Sequence, residues 1–100
     1  NTAPSIPLAE LLAVLASPSR WLILRELASG DKLMVAELAE RVGLNPDATS
    51  KAMAVLREAR VVTQGRNRLY QLAPQFIVDK TERILDFGYC QLRMNFGLDR

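Results

Sequence analysis

One stretch constrains the fold of this chain more than any other: residues 44–72, with the sequence LNPDATSKAMAVLREARVVTQGRNRLYQL. Its first part predicts a helix over residues 44–60. Asn45 can accept hydrogen bonds from free backbone N–H groups at the helix start, and Pro46 has the φ of a first helical turn. At 3.6 residues per turn, Thr49, Met53 and Leu56 share one face of this helix. That face is expected to pack against the rest of the chain.

The second part of the stretch, residues 61–72, predicts a β-hairpin. Val61-Val62 and Leu69-Tyr70-Gln71-Leu72 are short β-forming runs, and the turn between them contains Gly and Asn. Arg66 and Arg68 lie in that turn. A helix followed by an arginine-tipped hairpin predicts the recognition helix and wing of a winged helix-turn-helix.

Positive charge is concentrated in this part of the chain. Residues 48–78 carry five basic side chains and one acidic side chain, a local net charge of +4, whereas the remainder has a net charge of −2. A basic patch of this kind favours a polyanionic partner such as DNA. The alternative is a solvated face without a partner, which is the usual origin of a charge cluster.

The remaining elements complete a mostly α-helical fold with five helices and one small hairpin. Residues 1–7 predict a flexible N-terminal arm, and residues 8–100 a single domain. Ser17-Pro18 is a cap and first-turn proline for a second helix that Gly30 ends, and Gly43 ends a third helix. The helices are expected near residues 8–15, 18–29, 35–42, 44–60 and 74–97.

The expected last helix, residues 74–97, has more apolar surface than one small domain needs to cover. Its stripe follows helical spacings of 7, 4, 3 and 4 residues from Val78 to Phe96. The excess predicts a homodimer that pairs the first and last helices. The expected interface residues are Leu8, Leu11, Leu12, Leu15, Leu85, Tyr89, Leu92 and Phe96.

Length and composition limit the class of protein. One hundred residues with 49% hydrophobic content are enough for one core. The apolar runs are interrupted by charges, so no membrane partner is expected, and a cytoplasmic location is predicted. Cys90 is the single cysteine, which excludes a disulfide within the chain.

With these elements in view, the chain resembles the ArsR-type (ArsR/SmtB) winged helix-turn-helix regulators of bacteria. The resemblance covers about residues 15–74. It is carried by LASPSRWLILRELASG, by VAELAERVGLNPDATSKAMAVLREARVV and by the hairpin ending in YQLAP. It implies a homodimeric transcriptional repressor that binds double-stranded DNA, with release controlled by a small-molecule or protein effector.

The chain departs from the metal-sensing members of that family. They carry paired cysteines where this chain has Met34-Val35-Ala36, or histidines on the last helix, and this chain has no histidine. Thiophilic ions need Cys or His ligands, so neither a metal site nor a cofactor is expected. Asp79, Glu82 and Asp86 are interpreted as a solvated helix face. Cys90 is interpreted as a small buried hydrophobic residue rather than a redox switch.

The predicted recognition helix has few side chains suited to base readout. Lys51 can reach guanine or phosphate, Ser50 a phosphate, and Ala48 a thymine methyl group, whereas Asp47 would repel phosphate unless it accepts from a cytosine amine. Arg60 occupies the position where the family usually has Gly, so a left-handed turn there would be strained. The expected DNA-binding residues are Asn45, Asp47, Ala48, Ser50, Lys51, Arg57, Arg60, Arg66 and Arg68.

Two other functions are alternatives to a DNA-binding repressor. The alanine-rich helix face favours a winged-helix module for protein–protein interaction without sequence-specific DNA binding. An enzyme is disfavoured because the chain has no histidine, no second cysteine and no glycine-rich phosphate loop. No catalytic residue is therefore expected.

Overall fold

The computed structural model describes residues 5–95. Within them the chain forms four α-helices and two small antiparallel sheets. The helices are α1 (Leu8–Leu15), α2 (Pro18–Leu27), α3 (Val35–Val42) and α4 (Pro46–Glu58). The strands are β1 (Val62–Gln64), β2 (Tyr70–Leu72), β3 (Ile77–Asp79), β4 (Ile84–Asp86) and β5 (Gln91–Arg93). A winged helix-turn-helix was predicted, and its helices and hairpin are present.

The helix-turn-helix, α3 and α4, follows the capping signals of the sequence. Gly43 ends α3 in the left-handed conformation, with φ of 74°, which glycine adopts without the steric cost of a Cβ atom. The Asn45 side chain accepts a 2.7 Å hydrogen bond from the Ala48 N–H at the start of α4. The predictions for this turn are confirmed.

The Arg20 side chain links α1 to α2 by hydrogen bonds. Ser17 caps α2 by accepting from the Arg20 N–H at 3.3 Å. The Arg20 guanidinium turns back and donates to the carbonyl oxygens of Val14 at 2.7 Å and Ala13 at 3.1 Å. These carbonyls belong to the last turn of α1, where backbone acceptors lack partners within the helix. The Ser-Pro-Ser-Arg motif therefore caps both helices at this corner.

The wing is the antiparallel pair β1 and β2, with Val62 opposite Leu72 and Gln64 opposite Tyr70. Its strand β2 is joined at Tyr70 to the connector between α2 and α3. The Leu33 N–H donates to the Tyr70 carbonyl at 2.9 Å, and the Tyr70 N–H donates to the Leu33 carbonyl at 2.7 Å. The wing is thereby held against the helix-turn-helix by backbone hydrogen bonds.

The expected fifth helix over residues 74–97 is wrong for the part that the structure describes. After a one-turn 3-10 segment, Pro74–Phe76, the chain forms a β-meander in the order β3-β4-β5. Ile77 pairs with Leu85, and Leu85 pairs with Leu92. Residues 96 and 97, and with them the expected contact of Phe96, lie outside the described residues.

The physical reason is that the meander buries the apolar side chains within one chain. Leu85, Phe87 and Met94 are at most 2% exposed, and the Phe87 ring lies 4.8 Å from that of Phe76. The carboxylates of Asp79 and Asp86 accept hydrogen bonds within turns instead of lying on a helix face. Asp79 accepts from the Glu82 N–H at 2.9 Å, and Asp86 from the Gly88 N–H at 2.7 Å. Such Asx hydrogen bonds favour turns over helix interiors.

Ile6, just before α1, is packed in the core and contacts the turn between β4 and β5. The expected flexible arm over residues 1–7 is wrong at Ile6, which is 3% exposed and belongs to the hydrophobic core. Its carbonyl accepts a 2.7 Å hydrogen bond from the Tyr89 hydroxyl, between β4 and β5. Burying an isoleucine side chain contributes roughly 1.5–3 kcal/mol to this packing. Residues 1–4 of the arm lie outside the described residues.

No helix among residues 5–95 has the length and apolar character needed to cross a bilayer.

Candidate nucleic-acid interface

Helix α4 has one buried and one exposed face. Thr49, Met53 and Leu56 are fully buried, and the Thr49 hydroxyl is satisfied by donating to the Asn45 carbonyl at 2.9 Å. The opposite face presents Ser50 and Lys51 to solvent. The burial of one face fixes the rotation of the helix, so the exposed side chains have a defined direction.

Most of the expected DNA-binding residues are exposed, as a contact surface requires. Ala48 is half-buried, which reduces its access to a thymine methyl group. The exposed members of the set are Asn45, Asp47, Ser50, Lys51, Arg57, Arg60, Arg66 and Arg68. The five basic side chains among them lie on α4, on the turn that follows it and on the wing loop.

One hydrogen bond joins the recognition helix to the wing. Arg57, in the last turn of α4, donates through Nη1 to the Gln64 Oε1 at 3.1 Å. Gln64 is the last residue of β1. Gln64 was not among the residues expected from the sequence, and an exposed glutamine carries no sequence signal that would have identified it.

Two of the exposed arginines occupy left-handed backbone positions. Arg60 has φ of 67° and Arg68 has φ of 60°. The left-handed turn is therefore kept at Arg60, although the sequence left open that the arginine changes it. A side chain in this region costs roughly 1 kcal/mol or more relative to glycine. Strain of this kind is concentrated at functional sites, where a particular side chain is needed.

The wing tip is a tight turn that projects these arginines. The Leu69 N–H donates to the Arg66 carbonyl at 3.2 Å, and the two residues between them, Asn67 and Arg68, both have positive φ. Hairpin turns of this kind favour Asn at the first central position and Gly at the second. Arg68 stands where Gly would be the easier residue.

The seven expected interface residues within residues 5–95 do not form one surface on the chain. Leu11 and Leu85 are fully buried in the core of the single chain, whereas Leu8 and Leu12 are 45% and 58% exposed. Tyr89 is 42% exposed. Leu15 and Leu92 are half-buried and pack against the core. The side chains accessible to a partner are therefore mainly Leu8, Leu12 and Tyr89.

Cys90 and the side chains that could bind a metal ion are the remaining groups with potential chemistry. Cys90 was expected to be buried, but it is exposed in the turn between β4 and β5, because this segment is a meander rather than a helix. Among residues 5–95, His, Cys, Asp and Glu form no group of three or more placed to hold a metal ion.

Known proteins were compared with the chain at the levels of sequence and structure. NmtR of Mycobacterium tuberculosis (strain ATCC 25618 / H37Rv), an HTH-type transcriptional regulator, is 39% identical over 80 residues, which cover 69% of this chain and 66% of NmtR. The chain thus spans just under two thirds of that protein. BigR from Xylella fastidiosa, a transcriptional repressor, superposes with a TM-score of 0.60 at 30% identity, covering 66% of this chain and 67% of BigR. Both are named as regulators of transcription rather than as enzymes.

The model of the MarR family matches residues 17–69. This range begins at the cap of α2 and ends in the wing, so it contains the whole helix-turn-helix and the basic residues described above. It makes up more than half of the sequence, and the chain therefore belongs to the MarR family.

Proposed function

We propose that this chain is a DNA-binding transcriptional regulator and, more narrowly, an ArsR-type homodimeric repressor. The recognition helix α4 enters the major groove, and the wing contacts the backbone or the minor groove. The ArsR-type assignment rests on the sequence motifs between residues 15 and 74. The names of NmtR and BigR support transcriptional regulation as the activity.

The observation that carries the proposal is the placement of the basic side chains. Lys51, Arg57, Arg60, Arg66 and Arg68 are exposed on one helix and the hairpin that follows it. Phosphate contacts supply most of the affinity for DNA, so such a surface is what a duplex requires. Two of the arginines, Arg60 and Arg68, carry their charge at backbone positions that favour glycine.

The proposed dimer uses the exposed part of α1. Leu8 and Leu12 are apolar side chains that the single chain leaves in water, and a symmetric contact between two copies would bury them. In this proposal Leu11 and Leu85 remain core residues. Two recognition helices related by a two-fold axis would then bind two half-sites of an operator.

The proposed mechanism is occlusion of a promoter. An effector, a small molecule or a protein, would release the dimer by favouring a geometry in which the two recognition helices no longer match their half-sites. We do not propose metal sensing, because the chain lacks histidine and has one cysteine.

The experiment is selection of bound duplexes from a random DNA pool, followed by titration of affinity against salt. The expected result is a two-fold symmetric site whose affinity falls steeply with salt. Replacing both Arg66 and Arg68 with Ala is expected to weaken binding to all sequences and to reduce the slope of log affinity against log salt by about 2. Arg93→Ala is the matched control, because Arg93 is an exposed arginine on β5, outside the wing.

Two results would contradict the proposal. If the chain does not bind DNA, or binds it with an affinity that does not change with salt, a DNA duplex is excluded as the partner. Salt-dependent binding with no preferred sequence would favour the alternative, a winged-helix interaction module without sequence-specific DNA binding. The exposed Ala54 and Val55 on α4 would then be candidates for contact with a protein.

A further inference from the structure

We propose that Gln64 is a positioning residue that fixes the Arg57 guanidinium for contact with a DNA phosphate. Its own amide N–H groups would donate to the same phosphate. This inference rests on the proposed function and assigns a role to a contact between the recognition helix and the wing.

The contact joins two elements that would otherwise orient independently. The Arg57 Nη1 donates to the Gln64 Oε1 at 3.1 Å. Arg57 lies in the last turn of α4, and Gln64 lies at the end of β1. Both side chains are exposed, so their hydrogen bond contributes little to folding, because water can replace either partner. Its main effect is to restrict a long, flexible arginine to one direction.

The remaining N–H groups of the Arg57–Gln64 pair are donors without an acceptor among residues 5–95. Arg57 has five N–H groups in a planar fork, and its contact with Gln64 uses one nitrogen of that fork. The Gln64 Oε1 accepts from the arginine, which leaves the Nε2 amide of this exposed side chain available as a donor. Among residues 5–95, neither side chain has another hydrogen-bond partner. A phosphate group, with several anionic oxygens, is the ligand that such a set of donors fits.

The position of Arg57 along α4 indicates phosphate rather than a base edge. Arg57 is eleven residues beyond Pro46, a distance of roughly 16 Å at 1.5 Å per residue. The N-terminal residues of a recognition helix contact the base edges, and the major groove is about 12 Å wide. When the start of α4 lies in the groove, its last turn therefore lies at the groove wall, where the phosphates are.

The test is a double-mutant cycle of DNA affinity with Arg57→Met, Gln64→Met and the double variant. The probe is a fluorescently labelled DNA duplex of mixed sequence, titrated at several salt concentrations. Each single variant is expected to bind about fivefold more weakly. The double variant is expected to bind more tightly than the product of the two single effects predicts, because Gln64 cannot position a guanidinium that is absent. Gln75→Met is the matched control, because Gln75 is an exposed glutamine outside the wing.

The salt dependence separates a positioning role from a structural one. Arg57→Met is expected to reduce the salt slope by about 1, because one phosphate contact is lost. Gln64→Met removes no charge, yet it is expected to reduce the slope in the same direction, because Arg57 is no longer held on its phosphate. A residue that only stabilised the wing would lower the unfolding temperature without this change.

The outcomes distinguish this inference from the proposed function. If the wild-type chain binds DNA with salt dependence and the two single effects multiply, or Gln64→Met binds like the wild type, the positioning role is wrong and the proposed function stands. If the wild-type chain shows no salt-dependent binding, both are wrong.

Gln64→Glu gives a second test if the Met variant fails to fold. It keeps an acceptor for Arg57 but places a negative charge at the phosphate, and wild-type affinity for that variant would overturn the inference.

Discussion

Individual arginines have two different roles in this chain: one donates hydrogen bonds within it, and others are exposed basic side chains. Arg20 uses its guanidinium inside the chain, on the carbonyl oxygens of Val14 and Ala13. Arg60 and Arg68 are exposed and hold positive φ. An internal hydrogen bond gives a structural reason for the first arginine. The other two have no side-chain contact described within residues 5–95 that would offset their backbone strain, which is consistent with a role outside the chain.

Replacing Arg60 with Gly tests this trade between stability and binding. The variant is expected to raise the free energy of unfolding by roughly 0.5–1 kcal/mol, because glycine occupies the left-handed region without a Cβ clash. DNA affinity is expected to fall, since one basic group is lost. Urea unfolding measures the first effect and duplex titration the second.

The control for Arg60→Gly is Arg93→Gly, which places glycine in strand β5 at a position without positive φ. That variant is expected to lower stability, because glycine weakens a strand interior. A lower stability for Arg60→Gly as well would show that the Arg60 side chain makes a stabilising contact within the chain.

At the scale of elements, the sequence predicted those parts that are fixed by local chemistry. The cap at Asn45, the left-handed Gly43 and the Ser17-Pro18 start of α2 each act over a few residues, so they can be recognised without knowing the fold. The basic residues of the candidate site could be recognised in the same way, because they lie close together between residues 51 and 68, and their contact with DNA stays a prediction. The contact of Arg57 with Gln64 was not, since it depends on how two elements pack.

The meander could not be predicted because its apolar residues fit two periods. Spacings of 7, 4, 3 and 4 residues favoured a helix, but Leu85 and Phe87 also alternate with the half-buried Asp86, as in a strand. The choice is made by long-range packing and by the turn hydrogen bonds of Asp79 and Asp86. Tertiary contacts of this kind override local helical propensity.

Asp86→Ala tests the turn between β4 and β5. The carboxylate accepts from the Gly88 N–H at 2.7 Å and from the Gln91 side chain at 3.2 Å. Their loss is expected to lower the free energy of unfolding by about 1–2 kcal/mol. Denaturant unfolding followed by circular dichroism measures the change. Glu40→Ala is the control, because Glu40 is exposed and forms no hydrogen bond described within residues 5–95. Equal stability of both variants would contradict the turn.

At the scale of the whole molecule, the exposed side of α1 predicts self-association. Leu12→Arg is expected to convert a dimer into a monomer, because a charge would replace an apolar side chain that is 58% exposed in the single chain. Sedimentation velocity measures the oligomeric state. Val78→Arg is the matched control, since Val78 is 57% exposed but lies on β3. A monomeric wild-type chain, or a dimer that persists in Leu12→Arg, would show that α1 is not the interface.

The hydrogen bond between the Tyr89 hydroxyl and the Ile6 carbonyl spans 83 residues of sequence, and this separation has a kinetic consequence. Closing so long a loop costs more chain entropy than forming a helix or a hairpin, so the contact is expected to form after the folding transition state.

Tyr89→Phe should then leave the refolding rate unchanged and accelerate unfolding roughly fivefold, for a loss of about 1 kcal/mol. Stopped-flow chevron plots, with Tyr70→Phe as the control, measure both rates. Slower refolding would instead mean that the segments around Ile6 and Tyr89 meet early, and that the helix-turn-helix folds within a loop already closed.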